Sequence, residues 1–206
     1  MSGVTLPAMP PSLLTQIGLA AGAAMTSGFR LYGTLAALGF FHRIGVLHLP
    51  AGAEILSRTP ILALTAALFV IEFMADKIPV VDTIWDAVHT FLRVPAAALL
   101  GFAALSDVAE PWRTAAALLC GTIALSAHGL KAGTRVALNA SPEPLTNWAA
   151  SFSEDAFFAF CVWLILFHPA AALVLALAVL AAGLLLLHWV VRGIRFLFST
   201  EPRTAE

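Results

Sequence analysis

The chain has 206 residues, of which 60% are hydrophobic and 11% are charged, and its mean hydropathy is +0.91. Soluble domains contain about 25% charged residues, so this composition excludes an ordinary soluble protein. The formal net charge of −1 argues against a nucleic-acid-binding protein, whose surface is normally basic. The length leaves room for one integral membrane domain over residues 1–206.

The apolar segments predict an all-α bundle of about six transmembrane helices, because about 20 apolar residues cross the hydrocarbon core as a helix. No Lys or Arg precedes Arg30, so we expect the first span to be retained and not cleaved as a signal peptide. That span is long, and a tilt or interruption is expected around Arg30. His168-Pro169 separates the last two spans, because proline disrupts a helix at this point. The predicted spans are Leu13–Phe41, Pro60–Ala75, Thr90–Ser106, Trp112–Leu130, Asp155–Phe167 and Ala170–Val191.

The distribution of basic residues predicts that both termini are cytoplasmic, because cytoplasmic segments carry an excess of Lys and Arg. With this orientation the outer loops hold Arg43, Arg58 and Arg113. The inner segments hold Lys77, Arg93, Lys131, Arg135, Arg192, Arg195 and Arg203. The two cysteines, Cys120 and Cys161, fall within predicted spans and are interpreted as packed thiols, without a disulfide or a metal.

Two segments resemble each other at a shift of 63 positions, from Asp76 to Thr90 and from Asn139 to Ser153. Proline, threonine, tryptophan and alanine coincide in the two copies. Each copy joins two apolar segments, so the pattern predicts two helix-hairpin repeats, residues 60–108 and 112–169, with both polar turns on the cytoplasmic side. Parallel repeats of this kind occur in transporters.

The densest group of polar residues lies between positions 72 and 89 and predicts a metal site. Residues four apart share a helix face, so Glu72 and Asp76 could bind one cation, and Asp82, Asp86 and His89 share a second face. Carboxylates with one imidazole suit Mn²⁺, Mg²⁺ or Zn²⁺, and carboxylates alone also suit Ca²⁺. The candidate cofactor is therefore a divalent cation. The alternative is an amphipathic surface helix on which Asp86, His89 and Arg93 are paired and solvated.

Further polar residues predict a pathway for an ion or a substrate. Arg30 lies within an apolar span, where an arginine needs a carboxylate, carbonyl groups or water. We expect it to pair with Glu72 or to hold an anionic substrate. The two prolines around Glu143 exclude a regular helix there, which leaves either a cavity-lining loop or an ordinary connection. Glu154 and Asp155 would complement a helix dipole, and His128 would hydrogen-bond to neighbouring helices. The pathway residues are Arg30, Glu72, Asp76, Lys77, Lys131, Arg135, Asn139 and Glu143.

These segments resemble a family of small bacterial membrane proteins known as domain of unknown function 4126. The resemblance rests on residues 28–32, on Glu72 through Trp85, and on Lys131 through Arg135 followed by residues 139–144. It covers most of the chain, and it implies a multi-pass protein of the bacterial inner membrane without an established activity.

A looser similarity connects the chain with manganese/calcium exchangers that carry Glu-x-Gly-Asp-Lys in each of two repeats. The segment from Glu72 to Lys77 is one residue longer and has Ala75 in place of glycine, and the other repeat offers Arg135 and Asn139 instead of the acidic pair. The similarity implies cation exchange by analogy alone.

A transporter or channel for a cation or small solute is the function that these features favour, since it accounts for carboxylates within a bundle. One alternative is a membrane-embedded, metal-dependent enzyme acting on a lipid or isoprenoid phosphate, with Lys131 and Arg135 on the phosphate. No catalytic motif is recognised, so no catalytic residue is assigned. A non-catalytic assembly protein is the other alternative. The expected partners are the lipid bilayer, the transported ion or solute, and a second copy of the chain as a homodimer.

Overall fold

The fold is known from a computed structural model, which describes residues 12–139 and 144–199. Within these ranges the chain forms seven α-helices and one 3₁₀ helix, Glu54–Ser57, and no strand. The α-helices are α1 (Leu13–Phe29), α2 (Leu31–Arg43), α3 (Thr59–Ala75), α4 (Pro79–Ala104), α5 (Glu110–Asn139), α6 (Pro144–Phe167) and α7 (Pro169–Ser199). The predicted all-α class is confirmed.

Four of the described helices contain a segment that is long and apolar enough to cross a membrane. Large apolar side chains on their outer surface, such as Phe91 and Leu99, are exposed, as expected where a helix faces lipid. α1 and α3 are apolar but have only 17 residues each. The chain is a helical membrane protein, whereas a count of about six spans is not confirmed. The four segments are Ile84–Ala104, Glu110–Leu138, Leu145–Phe167 and Pro169–Phe196.

The predicted first span, Leu13–Phe41, is a hairpin of two short helices. α1 ends at Phe29, and Arg30 has an extended backbone with φ −143° and ψ 95°. Near the start of α1, Gly18 lies directly against the backbone of Pro169. Leu38, near the end of α2, belongs to one apolar cluster with Leu19 of α1 and residues at the end of α6. The chain therefore reverses at Arg30, and both outer ends of the hairpin lie at the same end of the bundle, which we call the loop end.

The remaining helices alternate in direction between the loop end and the opposite end, which we call the network end. α2 packs against α3, and α3 and α4 meet in a turn at the network end. The end of α5 and the start of α6 also lie there, since Arg135 hydrogen-bonds to Asn147. α7 runs beside α5, with Leu186 against Gly133, so it too ends at the network end.

The order of the helices bears on the predicted placement of the termini, which stays a prediction. The first described helix begins at the loop end and the last described helix ends at the network end, because the α1–α2 hairpin returns to the side from which it starts. The described helices therefore do not support N-in together with C-in. The division between the last two predicted spans is confirmed, since α6 ends at Phe167 and α7 starts at Pro169.

α1 lies at the centre of the bundle and packs against α4, α5, α6 and α7. Small residues make this position possible, because they let helix backbones approach closely. A Cβ at Gly28 would overlap the carbonyl oxygen of Ala124 in α5. The tip of the hairpin is thus held inside the bundle, at the level of the polar side chains described below.

Helices α4 and α6 begin 11 residues before the spans predicted for them at Thr90 and Asp155. The predicted spans began where the uninterrupted apolar residues begin, after the polar residues at the start of each helix. In the structure these side chains face neighbouring helices, so the helix continues through them. The two segments of the predicted repeat fall at the starts of α4 and α6, both at the network end, and the repeat itself stays a prediction.

Candidate functional site

A buried network of ion pairs fills the bundle around the tip of the α1–α2 hairpin. It joins side chains from the hairpin tip, the α3–α4 turn and helices α3, α4, α5 and α6. Asp155 is the twelfth of the 24 residues of α6, so the network reaches the middle of that helix. Its acidic members are Glu72, Asp76, Asp82, Asp86, Glu154 and Asp155, and its basic members are Arg30, Lys77, Arg93, Lys131 and Arg135.

Glu72 holds the hairpin in place by capping α2. Its Oε1 accepts a hydrogen bond from the Leu31 amide at 3.1 Å, and its Oε2 accepts one from the Tyr32 amide at 3.2 Å. The first amides of a helix have no partner within the helix, and the helix dipole favours an anion beside them. Arg93 completes the arrangement by donating to Oε1 at 3.2 Å. A carboxylate from α3 thus takes the place of the side-chain cap that α2 lacks.

Arg30 pairs with carboxylates that differ from the predicted partner. Its Nη2 lies 2.9 Å from Asp76 Oδ2 and also contacts Asp155 Oδ1. Lys77 reaches the same Asp155 at 3.1 Å. The predicted pair with Glu72 is wrong because Glu72 is taken by the amides of α2 and by Arg93. The expectation that Arg30 finds a carboxylate within the bundle is confirmed.

Lys131 lies between two carboxylates and the end of α1. Its Nζ donates to Asp76 Oδ1 at 3.1 Å and to Asp86 Oδ1 at 3.3 Å. It also approaches the Phe29 carbonyl at 3.5 Å, where the negative end of the α1 dipole favours a cation. The side chain is 1% exposed, so Lys131 is held entirely by groups of the protein.

Arg135 links α5 to α6. Its Nε and Nη2 donate to the two oxygens of Glu154 at 2.9 and 2.8 Å, which is a bidentate pair. Its Nη1 donates to Asn147 Oδ1 at 2.7 Å. Asp82 lies further away, 3.5 Å from Nε. The guanidinium is therefore directed at Glu154 and Asn147, and Asp82 receives no hydrogen bond from it.

Three of the five predicted metal ligands converge. Single oxygens of Asp76, Asp82 and Asp86 lie within 4.8 Å of one another, and all three residues are buried. Glu72 and His89 are not part of this group, because Glu72 caps α2 and His89 Nδ1 lies 2.7 Å from the Trp85 carbonyl. The structure thus brings three of the five residues together, and the metal site itself stays a prediction.

The alternative of a solvated surface helix is also corrected. Asp86 and Arg93 are paired as that alternative expected, at 2.8 Å, but Arg93 is 0% exposed and faces the interior of the bundle. His89 is buried too and stacks on Trp85 with ring centroids 4.0 Å apart.

Sequence reasoning missed the contribution of Arg93, Glu154 and Asp155 to the site. Arg93 lies seven residues after Asp86, which is two helical turns, so the spacing could have placed both on one face. The predicted hydrogen bonding of His128 is confirmed: Nε2 lies 2.6 Å from Thr90 Oγ1 and Nδ1 lies 2.7 Å from Arg93 Nη1.

Two predicted pathway residues are not placed by the structure. Glu143 lies outside the described residues, and so does the proline-flanked segment before it. The backbone of Asn139 ends α5, but its side chain is not described. The other six pathway residues all belong to the network: Arg30, Glu72, Asp76, Lys77, Lys131 and Arg135.

One family model matches the chain, over residues 17–189, and its description is domain of unknown function (DUF4126). The chain belongs to the DUF4126 family. The match covers all of the network and most of the bundle, which agrees with the resemblance identified from the sequence. No curated protein and no solved structure matches the chain. The function of this DUF4126 protein therefore has to be argued from its own site.

Proposed function

We propose that this DUF4126 protein is a transporter that moves a cation across the bilayer by way of the buried ion-pair network. The observation that carries this proposal is the α1–α2 hairpin, which places a helix C-terminus and a helix N-terminus together inside the bundle at charged side chains. Transporters build ion and substrate sites from interrupted helices of this kind, because the free helix ends supply partial charges.

The cost of the network supports a functional role. Ionisable residues within a membrane bundle are expensive and generally mark an ion or proton pathway. Buried ion pairs contribute little net stability compared with apolar packing of similar volume. A network of six carboxylates and five basic groups is therefore not explained by stability alone. A role in transport explains why these groups are buried.

The proposed orientation places the network end in the cytoplasm of a bacterial cell and the protein in the inner membrane. Arg192 and Arg195 lie near the end of α7, at the network end, whereas Arg43, Arg58 and Arg113 lie at the loop end. The positive-inside rule then favours a cytoplasmic network end. In this orientation the first described helix starts from the outer side.

The enzymatic alternative receives less support from the site. It assigned Lys131 and Arg135 to a substrate phosphate, but Lys131 is bound by two aspartates and Arg135 by Glu154. Both would have to leave buried carboxylates to bind a phosphate. The assembly-protein alternative and the homodimer stay as predictions.

The test is a flux measurement with purified protein in liposomes that contain a cation-sensitive dye. External NaCl, KCl, MgCl₂, CaCl₂ and MnCl₂ are added in turn. We expect at least one cation to enter faster than into protein-free liposomes, and Asp82→Asn to abolish that entry. Asp107→Asn is the matched control, because Asp107 is exposed at the loop end; it should behave as the wild type. Equal fluxes in Asp82→Asn and the wild type, or no flux of any of these cations, would contradict the proposal.

A further inference from the structure

The network contains one carboxylate without a cationic partner of its own. Six carboxylates face five basic groups. Each of five carboxylates has a basic nitrogen within 3.2 Å, whereas Asp82 has only Arg135 Nε at 3.5 Å. Asp82 is therefore the carboxylate of the network that lies furthest from a basic group.

Asp82 is both buried and unbonded. Its relative exposure is 0%, and neither carboxylate oxygen accepts a hydrogen bond from any group within residues 12–139 and 144–199. A buried ionised carboxylate without hydrogen bonds is costly unless a cation neutralises it or it takes up a proton. One of its oxygens lies in the same group as oxygens of Asp76 and Asp86, so the unbonded side chain is aimed at two other carboxylates.

The spacing of these oxygens meets one condition for a shared cation. All three lie within 4.8 Å of one another. A cation that binds each oxygen at about 2.4 Å, within the range for Ca²⁺, holds any two of them no more than about 4.8 Å apart. A donor set of carboxylates alone favours Mg²⁺, Ca²⁺ or Mn²⁺ over softer metals.

Lys131 already binds two of these three carboxylates. Its ammonium lies 3.1 Å from Asp76 and 3.3 Å from Asp86. A metal ion bound to the same carboxylates would lie next to the ammonium, and the two positive charges would repel each other. Metal binding therefore requires the ammonium of Lys131 to move away. Without Lys131 the six carboxylates face four basic groups, and two positive charges then neutralise the network. A divalent ion neutralises the network, whereas a monovalent ion leaves the same single negative charge that Lys131 leaves.

We propose that Asp76, Asp82 and Asp86 form the binding site of a divalent metal cation, and that the ammonium of Lys131 competes with that cation for the site. This inference deepens the proposed transport function by naming the class of ion. Lys131 acts as a tethered cation that contacts two of the carboxylates and offsets one of their two charges when no metal is bound, and its return drives the metal off.

The test measures Mn²⁺ binding to purified protein in detergent, by the loss of the paramagnetic resonance signal of free Mn²⁺. We expect the wild type to bind one Mn²⁺ per chain, in competition with Ca²⁺ and Mg²⁺. Lys131→Met should bind Mn²⁺ at least about tenfold more tightly, because a positive charge is removed from beside the metal. Asp82→Asn should lose binding. Arg43→Met removes a positive charge from an exposed residue at the loop end and should bind as the wild type does.

Either of two results would overturn the inference: equal Mn²⁺ binding by Asp82→Asn and the wild type, or unchanged or weaker Mn²⁺ binding by Lys131→Met. If Asp82→Asn does not fold, the affinity of Lys131→Met decides, since misfolding cannot make binding tighter. Binding in detergent does not depend on transport. Mn²⁺ binding without cation flux would support the metal site and contradict the transport function. Cation flux without Mn²⁺ binding would support transport and contradict the metal site.

Discussion

Replacing Glu72 by glutamine tests whether the carboxylate holds the hairpin. Glu72 is 0% exposed and accepts from the Leu31 amide, the Tyr32 amide and Arg93. The glutamine side chain has only one acceptor oxygen. If that oxygen keeps the hydrogen bonds from Leu31 and Arg93, the NH₂ group of the side chain faces the Tyr32 N–H, and two donors then meet without an acceptor. Arg93 would retain Asp86 at 2.8 Å, but it would lose one of its two anionic partners.

The expected cost of Glu72→Gln is about 3–5 kcal/mol, the usual range for breaking a buried charge pair by removing one partner. For a domain of this size, 1 kcal/mol shifts the melting temperature by roughly 2–4 °C. The melting temperature should therefore fall by about 6–20 °C, measured as the loss of monodisperse protein on gel filtration after heating in detergent. Glu54→Gln is the matched control, because Glu54 is exposed in the 3₁₀ helix, and it should shift the melting temperature very little. Equal melting temperatures of the two variants would refute the capping role.

Two further outcomes follow from the packing and the topology. Gly28→Ala should lower the melting temperature, because its Cβ would overlap the backbone of α5. Gly129→Ala is the control, since nothing lies within 4 Å of the added carbon, and it should leave the melting temperature unchanged or raise it. Equal shifts in both variants would contradict the close contact at Gly28. A reporter fused after Glu206 should report the cytoplasm, and a reporter inserted after Asp107 should report the external side, because α7 ends at the network end and Asp107 lies at the loop end. Both reporters on the same side of the membrane would contradict the described topology.

The sequence predicted the class of the fold well because lipid imposes long apolar segments whose length is set by the bilayer. It did not predict the hairpin. A break at Arg30 was expected, but whether the chain bends or reverses depends on what satisfies the free amides of α2. That acceptor is Glu72, 41 positions away in sequence from Leu31. No local pattern reveals a cap supplied from another helix.

The site could be predicted as a set of residues but not as a set of pairs. Helical spacing placed Asp82 and Asp86 on one face, and the structure brings both to Asp76. The same reasoning joined Glu72 to Asp76 as ligands of one cation, whereas Arg93 and the amides of α2 bind Glu72. The expected pair of Arg30 with Glu72 came from the place of Arg30 in an apolar span, and it is wrong because Arg30 pairs with Asp76 and Asp155. Partners on different helices are chosen by packing, which spacing along one helix does not encode.

If the network is a transport site, it must be reached from both faces of the membrane. Ser151 tests this directly, since it is 0% exposed and lies 3.5 Å from Lys77 within the network. Ser151→Cys is placed in a Cys120→Ala, Cys161→Ala background, and a membrane-impermeant thiol reagent is applied to right-side-out and to inside-out vesicles. Asp107→Cys, at the loop end, is the control and should react from one face only. We predict that Ser151→Cys reacts from both faces; reaction from one face alone, or from neither, would contradict transport through the network.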